Sequence, residues 1–130
     1  MEIIDPQGFR TKEGVEQLIS ESDLIEKSEK VIDSLLIYRT IRQATWFIAT
    51  THQIFCVLDD ERTRARARLI QWNIPISSAQ PIRARVSNRG SNVIDIGPKT
   101  NWLYSSSLHQ IDTELESKVA NMIYKAQNAT

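Results

Sequence analysis

The sequence has very few of the residues on which disulfide scaffolds and zinc modules depend. It contains one cysteine, Cys56, and two histidines, His52 and His109. A single cysteine excludes an intrachain disulfide and favours a reducing compartment, so we expect a cytoplasmic protein. A zinc site needs three or four ligands at recognisable spacing, which one cysteine and two distant histidines do not supply. We therefore predict neither a disulfide-stabilised fold nor a zinc site.

Glycine and long apolar runs are also scarce. The four glycines do not form a Walker A or dinucleotide-binding pattern, and residues 105–107, three serines, lack the glycines of a nucleophile elbow. No run approaches the roughly 20 apolar residues of a membrane-spanning helix, and the N-terminus does not resemble a signal peptide. These absences predict a non-catalytic protein that needs no cofactor and has no transmembrane segment.

The composition that remains is typical of one globular domain. The 130 residues are 41% hydrophobic and 25% charged, and sixteen basic side chains balance sixteen acidic ones. The balance is uneven along the chain: residues 1–60 have six Lys/Arg and eleven Asp/Glu, net −5, whereas residues 61–99 have eight and two, net +6. We interpret residues 1–130 as a single domain, with residues 1–10 as a loose arm and a basic middle region.

Residues 11–32 are predicted to be helical. Thr11 can cap a helix, and Val15, Leu18 and Ile19 follow helical spacing. Cap-forming residues near the middle of the segment leave two interpretations open, namely two short helices or one helix with a break. The charged residues at the end of the segment are predicted to form a solvated face: Glu26, Lys27, Glu29 and Lys30.

Residues 33–104 are predicted to be β-rich, with about seven short strands. Thr45–Ala49 and Ile54–Leu58 are rich in aromatic and β-branched residues and flank a polar connection, which predicts a hairpin. Residues 59–61, Asp-Asp-Glu, are interpreted as the next turn, with a divalent-cation site as the alternative. Further strands are predicted in residues 62–72, 82–86, 93–96 and 101–104.

The C-terminal helix has the clearest pattern. Thr113 and Glu116 match a capping box at the start of residues 113–126. The apolar residues that follow share one helical face and should pack on the sheet: Leu115, Val119, Met122, Ile123 and Ala126. A helical N-terminus, antiparallel strands and one closing helix predict an α+β fold, a barrel or sandwich of about seven strands with a capping C-terminal helix.

Residues 45–55, TWFIATTHQIF, resemble the early hairpin of bacterial pleckstrin-homology-like (PH-like) domains, in which an apolar strand ends in Thr and a short polar turn. The likeness extends over about residues 33–126, where the strands are followed by one capping helix. This resemblance implies an adaptor domain for lipids, peptides or other proteins. The superfold alone does not specify a ligand.

Cys56 lies within the most apolar predicted strand, so we interpret it as a buried and unreactive thiol. A Cys–His nucleophilic pair with His52 is the alternative. The tryptophans Trp46, Trp72 and Trp102 are interpreted as core or core-edge residues. Trp72, next to the arginine-rich segment, has a second interpretation as a stacking platform for nucleic-acid bases.

The arginines of the basic region are the candidate site. In residues 62–72, arginines alternate at first with Thr, Ala and Leu, which predicts a strand with its guanidinium groups on one face. A helix is the alternative, since Ala and Arg are good helix formers, but it would spread the arginines over more than one face. Guanidinium groups bind carboxylate or phosphate through two parallel hydrogen bonds. A solvated, aggregation-resistant strand is the alternative. The candidate residues for binding an anion or a partner are Arg62, Arg64, Arg66, Arg68, Arg83 and Arg85.

Composition and resemblance together predict a non-catalytic binding module. A protein partner is favoured over an anionic lipid headgroup. Two other classes stay open: a nucleic-acid-binding protein that uses the arginines, and an enzyme of unrecognised type. The sequence carries no signal for an oligomeric state.

Overall fold

The structure, a computed structural model, describes residues 9–39, 43–60, 70–76, 84–88, 92–103 and 114–129. All strand pairs in these residues are antiparallel, which confirms the predicted α+β class. The elements in chain order are α1 (Lys12–Ser20), β1 (Val31–Arg39), β2 (Gln43–Thr50), β3 (Gln53–Asp60), β4 (Ile70–Pro75), β5 (Ala84–Asn88), β6 (Asn92–Ile96), β7 (Lys99–Leu103) and α2 (Leu115–Gln127).

The strands are divided between two sheets. Sheet 1 has the order β1-β2-β3-β4, and sheet 2 has the order β5-β6-β7. Each strand therefore pairs with its neighbour in the chain, as antiparallel strands joined by short connections do. Over the described residues the seven strands form two sheets and not one closed barrel, so the barrel form of the prediction is not found there.

The β2–β3 hairpin lies at the centre of sheet 1 and confirms the hairpin prediction. In its register Phe47 pairs with Cys56 and Ile48 pairs with Phe55. All four side chains are fully buried, although neighbouring residues of a strand point to opposite faces. Both faces of sheet 1 must therefore be covered by other parts of the chain.

The inner face of sheet 1 packs against sheet 2 and α2. Phe47, Ile54 and Cys56 contribute from sheet 1, and Ile94 and Ile96 contribute from β6. The predicted apolar stripe of α2 completes this cluster and is buried as expected: Leu115, Val119, Met122, Ile123 and Ala126. The main core thus lies between the two sheets and the C-terminal helix.

The outer face of sheet 1 is covered by the N-terminal segment. Val15 and Ile19 of α1 are fully buried there, and Phe9 is nearly so. They pack on the side chains of β2 and β3 that point away from the main core: Ala44, Trp46, Ile48, Phe55 and Val57. Thr11 caps α1 as predicted, because its hydroxyl accepts a hydrogen bond from the Gly14 N–H.

Glu116, one member of the capping box predicted for α2, contacts β5. The helix begins at Leu115, and its N-cap, Glu114, makes no side-chain cap hydrogen bond. Thr113 lies outside the described residues. Glu116 Oε1 instead accepts a hydrogen bond from the Val86 N–H at 3.0 Å. The carboxylate therefore ties the first turn of α2 to β5, because a strand N–H lies within reach of it.

Three further expectations need correction. The helix in residues 11–32 ends at Ser20, and turns and bends occupy most of residues 21–30. Asp59 and Asp60 belong to β3 and not to a turn. Phe9 and Arg10, predicted to lie in a loose arm, are packed on sheet 1. For Arg10 and Asp59 the reason is a contact between residues that are 49 positions apart in the chain, which a local pattern does not reveal.

The connection between β6 and β7 is the turn expected at Gly97-Pro98. Gly97 has a φ of 52°, in the left-handed region that glycine enters without a Cβ clash. The turn joins Ile96 directly to Lys99, which pair with each other. The predicted strands in residues 93–96 and 101–104 coincide with β6 and β7 over the residues described.

Candidate binding surfaces

Most of the predicted arginine site lies outside the described residues. This holds for Arg62, Arg64, Arg66, Arg68 and Arg83, and for all but residues 70–72 of the predicted strand, which belong to β4. Arg85 is described: it is exposed on β5, where its register partner on β6 is Asp95. The structure therefore places one candidate arginine opposite an acidic residue. The predicted row of arginines in residues 62–68 stays a prediction.

The structure does define the end of sheet 1 at which the arginine-rich segment is attached. β3 ends at Asp60 and β4 begins at Ile70, at the end of the sheet where β1 finishes with Arg39. The Arg39 guanidinium carbon lies 4.5 Å from the centroid of the Phe9 ring, a cation–π contact. We refer to this end of the sheet as the Arg39 end.

Asp59 is a buried ion-pair acceptor near the Arg39 end. Its Oδ1 lies 2.7 Å from Arg10 Nη1, and its Oδ2 accepts a hydrogen bond from the Arg10 backbone N–H, also at 2.7 Å. The Asp59 side chain is 0% exposed and the Arg10 side chain 14%. Both carboxylate oxygens are engaged by Arg10, so the divalent-cation interpretation of Asp59 is not supported. Among the described residues, no group of three or more His, Cys, Asp or Glu side chains could hold a metal ion.

A second charged cluster joins α1 and α2 to β1 through Asp33. Lys12 Nζ lies 2.7 Å from Asp33 Oδ1 and 3.1 Å from Glu16 Oε2, and Lys125 Nζ lies 3.3 Å from Asp33 Oδ2. Burial alone would raise the pKa of Asp33, but hydrogen bonds from Lys12, the Ser34 N–H and Lys125 outweigh it and lower the pKa. Burial would likewise lower the pKa of Lys12, but the two carboxylates raise it.

Glu29 is a buried carboxylate that the sequence pattern did not reveal. Its side chain is 2% exposed, so the prediction of a solvated face is wrong at this position. Oε2 accepts hydrogen bonds from the Thr50 hydroxyl and from Gln53 Nε2, the latter at 3.1 Å. Oε1 lies 3.3 Å from the Glu26 N–H and 3.5 Å from His52 Nδ1. Glu29 thus ties the connection between α1 and β1 to the β2–β3 turn.

Cys56 is fully buried, as predicted. Burial raises the pKa of its thiol to about 12, although the side-chain hydrogen bond from Asn101 acts in the opposite direction. Its hydrogen-bond partners within the described residues are Gln71 Oε1 at 3.7 Å and Asn101 Nδ2 at 3.4 Å. His52 contacts Glu29 instead, so the Cys–His nucleophile is not assembled.

Trp72 faces the core and not a ligand surface. Its ring centroid lies 5.5 Å from that of Phe47, and its indole N–H donates to Asn101 Oδ1 at 3.0 Å. The core-edge interpretation of Trp72 is therefore supported over that of a stacking platform. Trp46 is buried on the outer face, as expected of a core residue. The side chain of Trp102 lies outside what the structure describes.

Comparisons with protein-family models, with curated proteins and with solved structures each find no match for this chain. In the part of the chain that the structure describes, no helix is long and apolar enough to cross a membrane. The function has to be argued from the residues themselves.

Proposed function

We propose that this chain is a non-catalytic binding module of the PH-like type that recognises an acidic segment of a protein partner through the arginines of residues 62–68. The order of the elements supports the PH-like part of this proposal. A four-stranded and a three-stranded antiparallel sheet are followed by a C-terminal helix that packs against both of them. That arrangement agrees with what the resemblance of residues 33–126 implies.

One observation favours the arginines of residues 62–68 as the binding site. The main alternative to a binding site is that acidic residues of the N-terminal half neutralise the arginines within the protein. Several of those carboxylates are already engaged elsewhere: Asp59 pairs with Arg10, Asp33 with Lys12 and Lys125, and Glu29 with Thr50 and Gln53. Their engagement supports a role for the arginines outside the fold.

The chemistry of arginine favours a carboxylate-bearing partner. A guanidinium group donates two parallel hydrogen bonds to a carboxylate, and exposed pairs contribute about 0.2–1 kcal/mol each. Several weak contacts must therefore act together, which suits an extended acidic segment. The chain as a whole carries no net charge, so no overall attraction to nucleic acid or to a membrane surface is expected.

The proposal can be tested with a variant in which Arg64, Arg66 and Arg68 are changed to Gln. Wild type and variant would be titrated with a labelled octaglutamate peptide at low and high salt. We expect the variant to bind about 3-fold to about 150-fold more weakly, since three contacts of about 0.2–1 kcal/mol each are lost. Wild-type binding should weaken with salt, because the charges on both sides are screened.

The matched control is the variant Lys118→Gln/Lys125→Gln, which also removes exposed positive charge but lies on α2. It should retain the wild-type affinity for the peptide. Equal affinity of wild type and the arginine variant, or binding that salt does not change, would overturn the proposal. Preferred binding to phosphatidylserine vesicles or to duplex DNA would replace the protein partner by a lipid or nucleic-acid ligand. If the glutamine variant unfolds, Arg64, Arg66 and Arg68 are changed to Lys. This variant keeps the charge but loses the paired hydrogen bonds of the guanidinium groups, so it should bind the peptide more weakly than wild type.

A further inference from the structure

A pocket of about 410 Å³ lies in the connection between α1 and β1. It is at the end of sheet 1 opposite to the Arg39 end, because the neighbouring Lys30 carbonyl accepts a hydrogen bond from the Thr51 N–H in the β2–β3 turn. The pocket is open to solvent on one side and is lined more by polar than by apolar surface, so a ligand would stay partly exposed. The apolar side chains of Ile25 and Val31 line it together with four charged residues: Glu26, Lys27, Glu29 and Lys30.

The pocket is held in shape by Glu29. Hydrogen bonds from Thr50, Gln53 and the Glu26 N–H take up its carboxylate oxygens. Gln53 Nε2 also donates to the Leu24 carbonyl at 3.1 Å, which fixes the connection at a second point. A wall that is formed before a ligand arrives lowers the entropy lost on binding. Because its oxygens already accept these bonds, Glu29 shapes the pocket and is not the group that would receive a ligand.

The charges left to a ligand are mainly positive. Lys27 and Lys30 are exposed, and neither side chain forms an ion pair within the described residues. The Glu29 carboxylate keeps its negative charge, but it is buried and its oxygens face donors of the protein. The exposed charged groups that line the pocket are therefore two ammonium groups, Lys27 and Lys30, and one carboxylate, Glu26. An anion that enters would gain two favourable interactions, and its apolar part would lie against Ile25 and Val31.

We propose that this pocket binds a carboxylate attached to a branched apolar group. That chemistry is shared by small branched-chain carboxylic acids and by the C-terminal carboxylate of a peptide that ends in leucine. Lys27 and Lys30 pair with the carboxylate, and Ile25 and Val31 contact the apolar group. The site is separate from the arginines of residues 62–68 and does not depend on their function.

The test compares two probes of the same shape and opposite charge, 4-methylpentanoate and 4-methylpentan-1-amine. Amide resonances of the uniformly ¹⁵N-labelled full chain are followed during titration with each probe. We expect the acid to shift resonances of residues 20–31 with a dissociation constant in the millimolar range, and the amine to leave them unchanged. N-acetylglycyl-leucine and its C-terminal amide then distinguish a peptide terminus from a free acid, since only the peptide with a free carboxylate should bind.

The variant Lys27→Gln/Lys30→Gln should bind 4-methylpentanoate about 2-fold to about 30-fold more weakly, since two exposed ion pairs are lost. The variant Lys118→Gln/Lys125→Gln, which removes two exposed positive charges on α2, serves as the control and should bind the acid as wild type does. Equal shifts with acid and amine, unchanged affinity in the lysine variant, or shifts confined to other residues would each overturn the proposal. None of these outcomes depends on whether octaglutamate binds the arginines.

Discussion

The two faces of sheet 1 are covered in different ways. The inner face is covered by α2 and sheet 2, which bury a continuous set of apolar side chains such as Val119 and Ile123. The outer face is covered by the nine-residue helix α1 and Phe9, and fewer apolar side chains take part there. Ion pairs also attach this N-terminal segment to sheet 1: Arg10 pairs with Asp59, and Lys12 pairs with Asp33.

The difference matters because the two kinds of contact respond differently to solution conditions. Burial of apolar surface contributes about 25 cal/mol per Å² and depends little on moderate salt or on pH. Partly exposed ion pairs are screened by salt and are lost when one partner is neutralised. We therefore expect the packing of Phe9, Arg10 and α1 on the outer face of sheet 1 to depend more strongly on salt and pH than the packing on the inner face. Three predictions test this comparison.

The largest effect is expected from Arg10→Met. This change leaves the buried Asp59 carboxylate with the Arg10 backbone N–H but without its cation. Loss of one member of a buried ion pair costs about 3–5 kcal/mol, and urea unfolding measures this free energy. The double variant Arg10→Met/Asp59→Asn should regain much of the loss, because the uncompensated charge is removed. A loss below about 1 kcal/mol for Arg10→Met would mean that charged ties contribute little to the outer face.

Truncation of Ile123 to Ala on the inner face is expected to cost about 2–5 kcal/mol, because it removes buried contacts and leaves a cavity. The neighbouring Tyr124 is 68% exposed on the same helix, so Tyr124→Ala is the matched control and should change stability by about 0.5 kcal/mol or less. The cost of Ile123→Ala should be the same at low and high salt. Equal effects of the two substitutions would contradict the assigned orientation of α2.

The smallest effect is expected from Asp33→Asn, at about 1 kcal/mol or less, since Lys12 and Lys125 are both substantially exposed. The lowered pKa of Asp33 means that its stabilisation is present above the ordinary aspartate pKa and is lost as the pH falls through the lowered value. The difference between wild type and variant should therefore be measurable at about pH 7, smaller in about 1 M salt, and absent in strong acid. A difference that persists when Asp33 is protonated would show that side-chain geometry, and not charge, determines the contribution of Asp33 to the contacts of α1 and α2 with β1.

Elements with a strong local pattern could be predicted from the sequence. The apolar stripe of α2 and the β2–β3 hairpin are both found, within a few residues of the expected ends. In both elements the apolar residues repeat with the period of the structure that they form, so a local interpretation is sufficient. The predicted arginine site also rests on a local pattern, the alternation of residues 62–72. Its function remains to be tested, because a strand period does not reveal whether a charged face is matched by carboxylates of another element.

The charged residues that proved to be buried could not be predicted in this way. Asp59 follows a run of five apolar residues, and Glu29 lies in a stretch of mixed charge; carboxylates in both contexts are usually solvated. Each is buried because a partner distant in sequence satisfies it. Arg10 is 49 residues from Asp59, and Gln53 is 24 residues from Glu29. The one sequence feature near these sites is a polar residue at the end of an apolar strand, such as Thr50. That feature is also common where a strand leads into an ordinary turn.

The sequence by itself determined the class of the fold, the central hairpin, the C-terminal helix and the burial of Cys56, because each depends on the spacing of apolar residues along a short stretch. Only the tertiary structure decided that α1 covers the outer face of sheet 1, that Asp59 and Glu29 are buried, and that Asn101 lies against Cys56 and Trp72. A carboxylate or amide can be buried only where donors or acceptors from other elements meet it, and it then avoids the cost of an unpaired polar group. The positions of those partners depend on how the strands and helices are arranged in space, which periodicity does not specify.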